Sequence, residues 1–479
     1  MNKNRQRVLY VLLALLVIRL IAMAFIPLND TTEARYAEIA RKMLETGNWV
    51  TPQQDYGVPF WAKPPLSTWS SALSMALFGV NAFAARLPAL LFSLATAAFT
   101  FIAARRRQGE DAAWVAMLAL MGGLLFFLCA GTVMTDPSLL FCVAVAQIAF
   151  WFALSERSRP WGYLFFAALG LGLLAKGPLA IVLVGMPAFI WLCVRRQWMH
   201  MWRTLPWLGG IALMLLIGIP WYVLAEIRTP GFLHYFIIGE HIDRFLDTGW
   251  KGDLYGFAHA TPRGMIWLYA FAGLLPWAPI AIAWLFKRRP APAGEADDGW
   301  MLYITLWTLM TLLFFTLSGN IIFPYPLPMV PGFALLFSEL WRRRGGQSGT
   351  LTWLGLSSGI LTLAVTVVFV FMPGSIGRTQ VALVQAWKAD HPSAHSSLLF
   401  WETRREFSAE FYSAGRARSS HDAASALALL DDGEIDYIAV LQEDYKTLPA
   451  PVQAAFGEVG SYRNPGEVML LLKKRHGNA

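Results

Sequence analysis

Carboxylates and cations recur at a few points of a chain that is otherwise strongly apolar. NDTTEARY carries Asp30, Glu33 and Arg35 directly after an apolar run that ends near Leu28, and FWAKPPL carries Lys63. GTVMTDPSLLF opens another run on Asp136, and LLAKGPLA sets Lys176 between two more. IIGEHIDRF places Glu240, His241, Asp243 and Arg244 close together. Lysines and arginines in such a set suit an anion, above all a phosphate, held by charge-assisted hydrogen bonds. A carboxylate among them can accept a proton or stabilise developing positive charge. Glu240 and His241 also offer two adjacent ligands to a divalent metal, a weak pattern by itself. Plainer roles exist for several of these residues. Asp136, followed by proline, suits a helix N-cap, and Lys176 could reach an interface by snorkelling. Ionisable groups at membrane depth nevertheless point first to function.

The elements that must carry these groups are membrane helices. Of 479 residues, 56% are hydrophobic and 15% charged, against about 25% charged in soluble domains. The net charge of +8 does not indicate nucleic acid. Much of the basic excess lies in short clusters between apolar runs: Lys3/Arg5/Arg7, Arg105–Arg107, Arg157/Arg159, Arg195/Arg196/Arg203, Lys287–Arg289 and Arg342–Arg344. That distribution is the one the positive-inside rule produces. Cys129, Cys142 and Cys193 all sit inside apolar runs and suggest neither a disulfide framework nor a zinc site. The first run, from Val8, is longer than a signal-peptide core and is expected to stay as an anchor.

Placing every basic cluster in the cytoplasm predicts about eleven spans of roughly 20 residues each, with the N-terminus inside and the C-terminus outside. They are 8–27, 83–104, 112–131, 136–154, 161–175, 178–194, 205–224, 264–286, 301–318, 322–340 and 350–372. Residues 64–80 would break the alternation and are expected to form a juxtamembrane helix, with Ser67, Ser70, Ser71 and Ser74 at the interface. Two long loops, 28–81 and 226–262, then share the outer side, and long loops are usually functional. From 374 to 479 the composition changes to strand-like SLLFW, DYIAVLQ and EVMLLLKK alternating with helical segments. This predicts a small soluble α/β domain after a transmembrane domain of residues 1–373.

The stretch from Asn29 to Trp49 reads as a helix capped by Asp30, with Glu33 reaching back and Gly47 as its stop. Arg35, Glu38, Lys42 and Glu45 form one polar stripe, with Glu38–Lys42 and Arg41–Glu45 as favourable i, i+4 pairs. Spacing alone favours a helix lying on the membrane surface with its charges in solvent. Read together with Lys63, Asp136, Lys176, Glu240 and Arg244, however, its N-terminal end contributes to one outward-facing cavity that opens sideways to lipid. Four prolines in SGNIIFPYPLPMVPG suggest broken backbone lining that cavity. Such a site suits an amphiphile with an anionic head, such as a polyprenyl phosphate bearing a sugar. Its phosphate is a leaving group that cations would stabilise. A lipid-sugar transporter is the alternative of another class, but no internal repeat of the transporter kind is visible.

TEARYAEIARKM, FWAKPPL, DPSLLF, AKGPLA, PWYV, HYFIIGEHIDRF and PYPLPMVPG occur in that order. As an ordered set over roughly 8–345 they resemble the bacterial 4-amino-4-deoxy-L-arabinose lipid A transferases, members of the protein O-mannosyltransferase-like superfamily of GT-C glycosyltransferases. The resemblance implies a polytopic all-α membrane domain in the bacterial inner membrane and a periplasmic active site. It also implies an undecaprenyl-phosphate sugar donor, with a lipid glycan such as lipid A as acceptor, or a protein or other glycan in related enzymes. Arg35, Lys63 and Tyr325 would contact the donor phosphate, Asp136 and Lys176 would line the cavity, and Glu240 and His241 would lie near a divalent metal. Thr32 stands where the family has Asp, with an acid displaced to Asp30. Ala62 stands where the family has the Glu that would join the His on the metal. With Thr32 unable to act as a carboxylate, Glu33 is the expected base for a hydroxyl acceptor and Asp30 an electrostatic stabiliser; a phosphate acceptor would need no base.

Overall fold

The computed structural model describes residues 3–247, 249–256, 261–286, 298–346, 349–371, 377–403, 406–431 and 433–475. The basic cluster at 287–289 lies outside the described residues. Four described helices are long and apolar enough to cross a membrane alone: Lys3–Phe25, Ala82–Gln108, Asp136–Ser155 and Trp207–Arg228. Asp136–Ser155 is the central one, and most of its residues are buried on all sides. Helices Arg159–Lys176 and Leu179–Arg195 form the expected hairpin, turning at Gly177 with φ of 72°, a conformation that favours glycine.

Several expected spans are broken rather than continuous. The run 112–131 divides into Glu110–Met121 and Leu124–Cys129 around Gly122 and Gly123. The run 264–286 divides into Met265–Gly273 and Trp277–Phe286, bent by 107°, where Pro276 removes a helix hydrogen bond. The proline-rich run starting at 322 stays irregular until the short turn Leu327–Met329, and only then forms the helix Val330–Arg343. Each break falls at the glycines or prolines that the hydropathy pattern had passed over.

Residues 64–80 form the helix Leu66–Phe78, but its orientation reverses the expectation. Ser71 and Ser74 are buried while Leu73, Leu77 and Phe78 are exposed. Ser71 donates to the Ala85 carbonyl at 2.9 Å, so small residues make a close helix contact.

The charged helix runs Thr32–Thr46 and stops at Gly47, in the left-handed conformation expected of a C′ glycine. The middle of its polar stripe is not solvated. Glu38 is 0% exposed, Lys42 1% and Arg41 5%. The i, i+4 pairs do form, Lys42 to Glu38 at 3.0 Å and Arg41 to Glu45 at 2.7 Å. Arg41 also grips both Glu38 oxygens, at 2.7 and 2.8 Å. The partner that buries the stripe is the C-terminal unit, whose Glu410 accepts from Lys42 Nζ at 2.7 Å.

That unit is the α/β fold anticipated from its composition. After the short hairpin of β1 (Gln53–Asp55) and β2 (Val58–Pro59), its strands are β3 (Leu398–Trp401), β4 (Ala417–Ser420), β5 (Tyr437–Leu441), β6 (Phe456–Asn464) and β7 (Glu467–Lys474). They pair in the order β4-β3-β5-β7-β6, parallel among β4, β3 and β5 and antiparallel beyond. The helix Phe407–Tyr412 carries Ser408, Glu410 and Tyr412 against the charged helix and its approach. Glu410→Ala strips buried Lys42 of a charge-assisted bond. The expected loss is about 1.5–3 kcal/mol of stability, read as a lower melting temperature in detergent. Glu45→Ala, at a residue whose side chain is 48% exposed, should stay within about 1 kcal/mol of the parent.

Candidate functional site

Three elements bring the cations together: the loop after β2, the tip of the helix hairpin, and a π-helix, Tyr235–Asp243, within the second long loop. A π-helix widens the turn and is frequently found at functional sites. Here it sets Glu240, His241 and the following Arg244 on one wall of a cavity of about 830 Å³, including its open mouth. Lys63, Lys176 and Tyr325 line the same cavity, and so does Ala62. Lys63 Nζ donates to Glu240 at 2.8 Å and to the Ala62 carbonyl at 2.7 Å. Arg244 meets both Glu240 oxygens at 3.1 and 3.3 Å and lies 3.4 Å from Asp253. Burial by itself would push the Glu240 carboxyl up, but Lys63 and Arg244 outweigh it and hold the group at about 2. Glu240 is therefore ionised at any physiological pH. Lys176 Nζ pairs with Asp136 at 2.8 Å and sits 4.7 Å above the Tyr325 ring.

Gly177 makes this crowding feasible. A Cβ there would lie 2.7 Å from the Phe236 ring and 3.1 Å from His241 Nε2. The two long loops meet as anticipated. Besides Lys63–Glu240, Trp61 Nε1 donates to Thr229 Oγ1 at 3.1 Å, and the Tyr255 hydroxyl donates to the Pro59 carbonyl at 2.8 Å.

The single cavity anticipated from the sequence is, in the structure, two. Asp30 and Glu33 line a second cavity of about 1000 Å³ together with Arg19, Arg86 and the apolar residues Phe127, Phe323 and Phe369. Neither acid plays the capping role anticipated. The N-cap position of the charged helix is Thr31, with no side-chain bond. The Asp30 carboxylate instead accepts from the Ser408 N–H at 3.0 Å and from its hydroxyl. Glu33 is clasped by Arg86 through Nε at 2.8 Å and Nη2 at 2.7 Å, and it also accepts from the Val133 N–H at 3.2 Å. Arg35 lines neither cavity. Its Nη1 donates to the Tyr255 carbonyl at 2.6 Å, and its guanidinium lies 5.8 Å from the Phe60 ring. It braces the loops that carry Lys63 rather than facing the cavity. The two cavities lie on either side of the irregular stretch before Leu327, with Phe323 and Pro324 on one side and Asn320 and Tyr325 on the other.

Arg19 and Arg86 were not anticipated, although each is an ionisable residue inside an apolar run, the signal that should have marked them. Tyr235, whose hydroxyl donates to Glu240 at 3.2 Å, and Asp253 were also missed. Nothing in their local spacing separates them from ordinary loop residues.

The metal position does not fit the residues present. Glu240 is already engaged by Lys63, Arg244 and Tyr235. The His241 ring nitrogens lie 2.7 Å from the Phe236 carbonyl and 3.3 Å from the Lys176 carbonyl, so both face backbone oxygens. No group of three or more His, Cys, Asp or Glu side chains converges among the described residues. We expect transfer to survive exhaustive chelation. Loss with EDTA and specific rescue by one divalent ion would show that a metal site assembles from other groups.

Comparison with known proteins agrees with this geometry. The model of the dolichyl-phosphate-mannose-protein mannosyltransferase family matches residues 11–236. An undecaprenyl phosphate-α-4-amino-4-deoxy-L-arabinose arabinosyl transferase of Edwardsiella ictaluri is 29% identical over 66% of this chain and 56% of its own length. One from Pseudomonas fluorescens is 31% identical over 74% of this chain and 59% of its own. The chain thus spans less than two thirds of the length of these relatives. The crystal structure of ArnT from Cupriavidus metallidurans bound to undecaprenyl phosphate superposes with a TM-score of 0.79. It covers 97% of both chains at 21% identity, which establishes the fold. The fold is thus that of ArnT, with several helices long and apolar enough to cross a membrane. In sequence as well as in fold the chain is ArnT-like.

Proposed function

We propose that the chain is an inner-membrane glycosyltransferase that moves one sugar, 4-amino-4-deoxy-L-arabinose or a similar pentose, from an undecaprenyl phosphate donor to a lipid glycan such as lipid A. The observation that carries the reading is the convergence of Lys63, Lys176, Arg244 and Tyr325 on one cavity. In the transfer an acceptor oxygen forms a bond to the anomeric carbon from the face opposite the phosphate, inverting it. The bond from that carbon to the phosphate oxygen breaks, and its electron pair leaves with the phosphate. Lys63, Lys176 and Arg244 stabilise that growing charge. Asp136 holds Lys176 in place, and Arg35 positions the Lys63 loop through Tyr255.

The carboxylates bear on the acceptor. Glu33 and Asp30 are committed to Arg86 and Ser408, and Asp136 to Lys176. None has the profile of a general base within reach of the donor cavity. An acceptor oxygen that is already anionic, as on a phosphate group, needs none. This favours a phosphorylated lipid glycan over a simple hydroxyl. The relatives' names supply the sugar and its carrier; the charge pattern supports an N-terminus inside and the C-terminal α/β unit outside, with the active site on the periplasmic face.

The test is reconstitution of the full chain with an undecaprenyl-phosphate pentose and phosphorylated or dephosphorylated lipid glycan, followed by mass spectrometry of the acceptor. One added pentose on the phosphorylated acceptor alone is the expected result. No transfer to either acceptor, with the donor intact, would overturn the reading.

A further inference from the structure

The cavity that should hold a phosphate already contains an anion. Glu240 occupies the space between Lys63 and Arg244, its side chain only 2% exposed, and Tyr235 is a third residue that donates to it. Lys63 and Arg244 are less enclosed, at 20% and 19% side-chain exposure, so their outer sides face the cavity. A lysine has three donors and an arginine five. Lys63 spends donors on Glu240 and the Ala62 carbonyl, and Arg244 Nη1 is directed at Glu240 and Asp253. Donors on both remain for a ligand, but the charges of these two cations are balanced. Lys63, Lys176 and Arg244 stand against Glu240, Asp136 and Asp253, so this group sums to zero formal charge.

This balance matters because charge on the phosphate changes during the reaction. Resting on the donor reading above, the substrate is a phosphodiester with one negative charge. The product is a phosphate monoester that carries about two at neutral pH. An uncompensated trio of cations in a partly desolvated site would bind the product much more tightly than the donor. The enzyme would then stall on its own leaving group.

We propose that Glu240 is the resident counter-ion that sets release of the polyprenyl phosphate product. It is a positioning and charge-balancing residue, acting on the phosphate through Lys63 and Arg244 rather than by touching the reacting atoms. It aims the two cations and cancels enough of their charge that the dianionic product can leave. Its place on the π-helix, four residues before Arg244, fixes carboxylate and guanidinium as one unit.

The sign of the effect separates this role from a structural one. In Glu240→Gln, undecaprenyl phosphate should bind at least tenfold more tightly to the reconstituted protein, as product inhibitor and in direct binding. The donor KM should fall by less. The first turnover should slow far less than the steady state, so that kcat falls while the first-turnover burst persists. Unchanged or weaker binding of undecaprenyl phosphate would overturn the proposal, because a merely structural role for Glu240 can only loosen the cations. Should Glu240→Gln fail to fold, Asp253→Asn removes the second carboxylate beside Arg244. It should tighten undecaprenyl phosphate binding severalfold, and no tightening there would equally overturn the idea. Direct binding of undecaprenyl phosphate needs no transfer, so failure of the donor reading, seen as absence of any turnover in the parent, is read separately.

Discussion

Lys63→Ala should yield a folded protein whose transfer is ten- to a hundredfold slower than that of the parent. The residue reaches the phosphate position proposed above from a loop, with its ammonium partly open to the cavity. Little of the core depends on it. It supplies a charge-assisted bond of about 1.5–3 kcal/mol, and each 1.36 kcal/mol or so of transition-state stabilisation is worth tenfold in rate. Lys63→Arg should recover little, because a planar guanidinium does not reproduce a compact ammonium wedged between Glu240 and the Ala62 carbonyl. Arg35→Ala provides the contrast. It lets go of the Tyr255 carbonyl and loosens the loop, so its smaller loss should appear in donor KM as well as kcat. The check is kcat and KM of the purified variants at matched melting temperature. Near-parental turnover by Lys63→Ala would remove it from the phosphate site.

Glu33→Ala is expected to unfold the region around the start of the charged helix before it affects chemistry. Removing the carboxylate leaves Arg86 buried and without its ion-pair partner, and breaking a buried pair on one side costs about 3–5 kcal/mol. Arg86 would keep its bonds to the Met23, Ile26 and Pro27 carbonyls, yet none of these carries charge. Melting temperature and transfer should therefore fall together, and Glu33→Gln should follow the same line with a smaller step. Thermal unfolding in detergent, paired with turnover well below the transition, distinguishes the alternatives. A Glu33→Gln protein with parental melting behaviour and no transfer would restore Glu33 to the role of base.

These two residues also show which parts of the site were legible in the sequence. Lys63, Lys176, Glu240 and Arg244 stood out because they sit in charged or proline-flanked motifs at the ends of apolar runs, whereas Arg19 and Arg86 lie within such runs and were passed over. Local geometry supplied more: the Gly47 stop, the hairpin turn at Lys176-Gly177-Pro178 and the C-terminal strands all follow from short-range rules. What spacing could not supply was partnership. Lys176 finds Asp136 40 residues away, and Glu33 finds Arg86 at a separation of 53. A stripe of charges at helical spacing looks the same whether water or a second domain covers it. For Arg35, Glu38 and Lys42 the sequence pattern pointed to solvent, and the long-range fold replaced solvent with a protein surface. The broken spans failed for a different reason, since average hydropathy over a window does not register where glycine or proline interrupts it.

The seam between the charged helix and the C-terminal unit also has a consequence in time. Lys42 and Glu410 are 368 residues apart in the chain, and synthesis proceeds at about 5–20 residues per second. For roughly 20–75 seconds, then, the first loop exists without the surface that covers it. During that interval Glu38, Arg41 and Lys42 keep the segment soluble, because the charges that are later buried are the ones that hold it in water. A ribosome that stops short of residue 410 would therefore release a protein that carries every residue lining the Lys63 cavity but leaves Glu38, Arg41 and Lys42 uncovered.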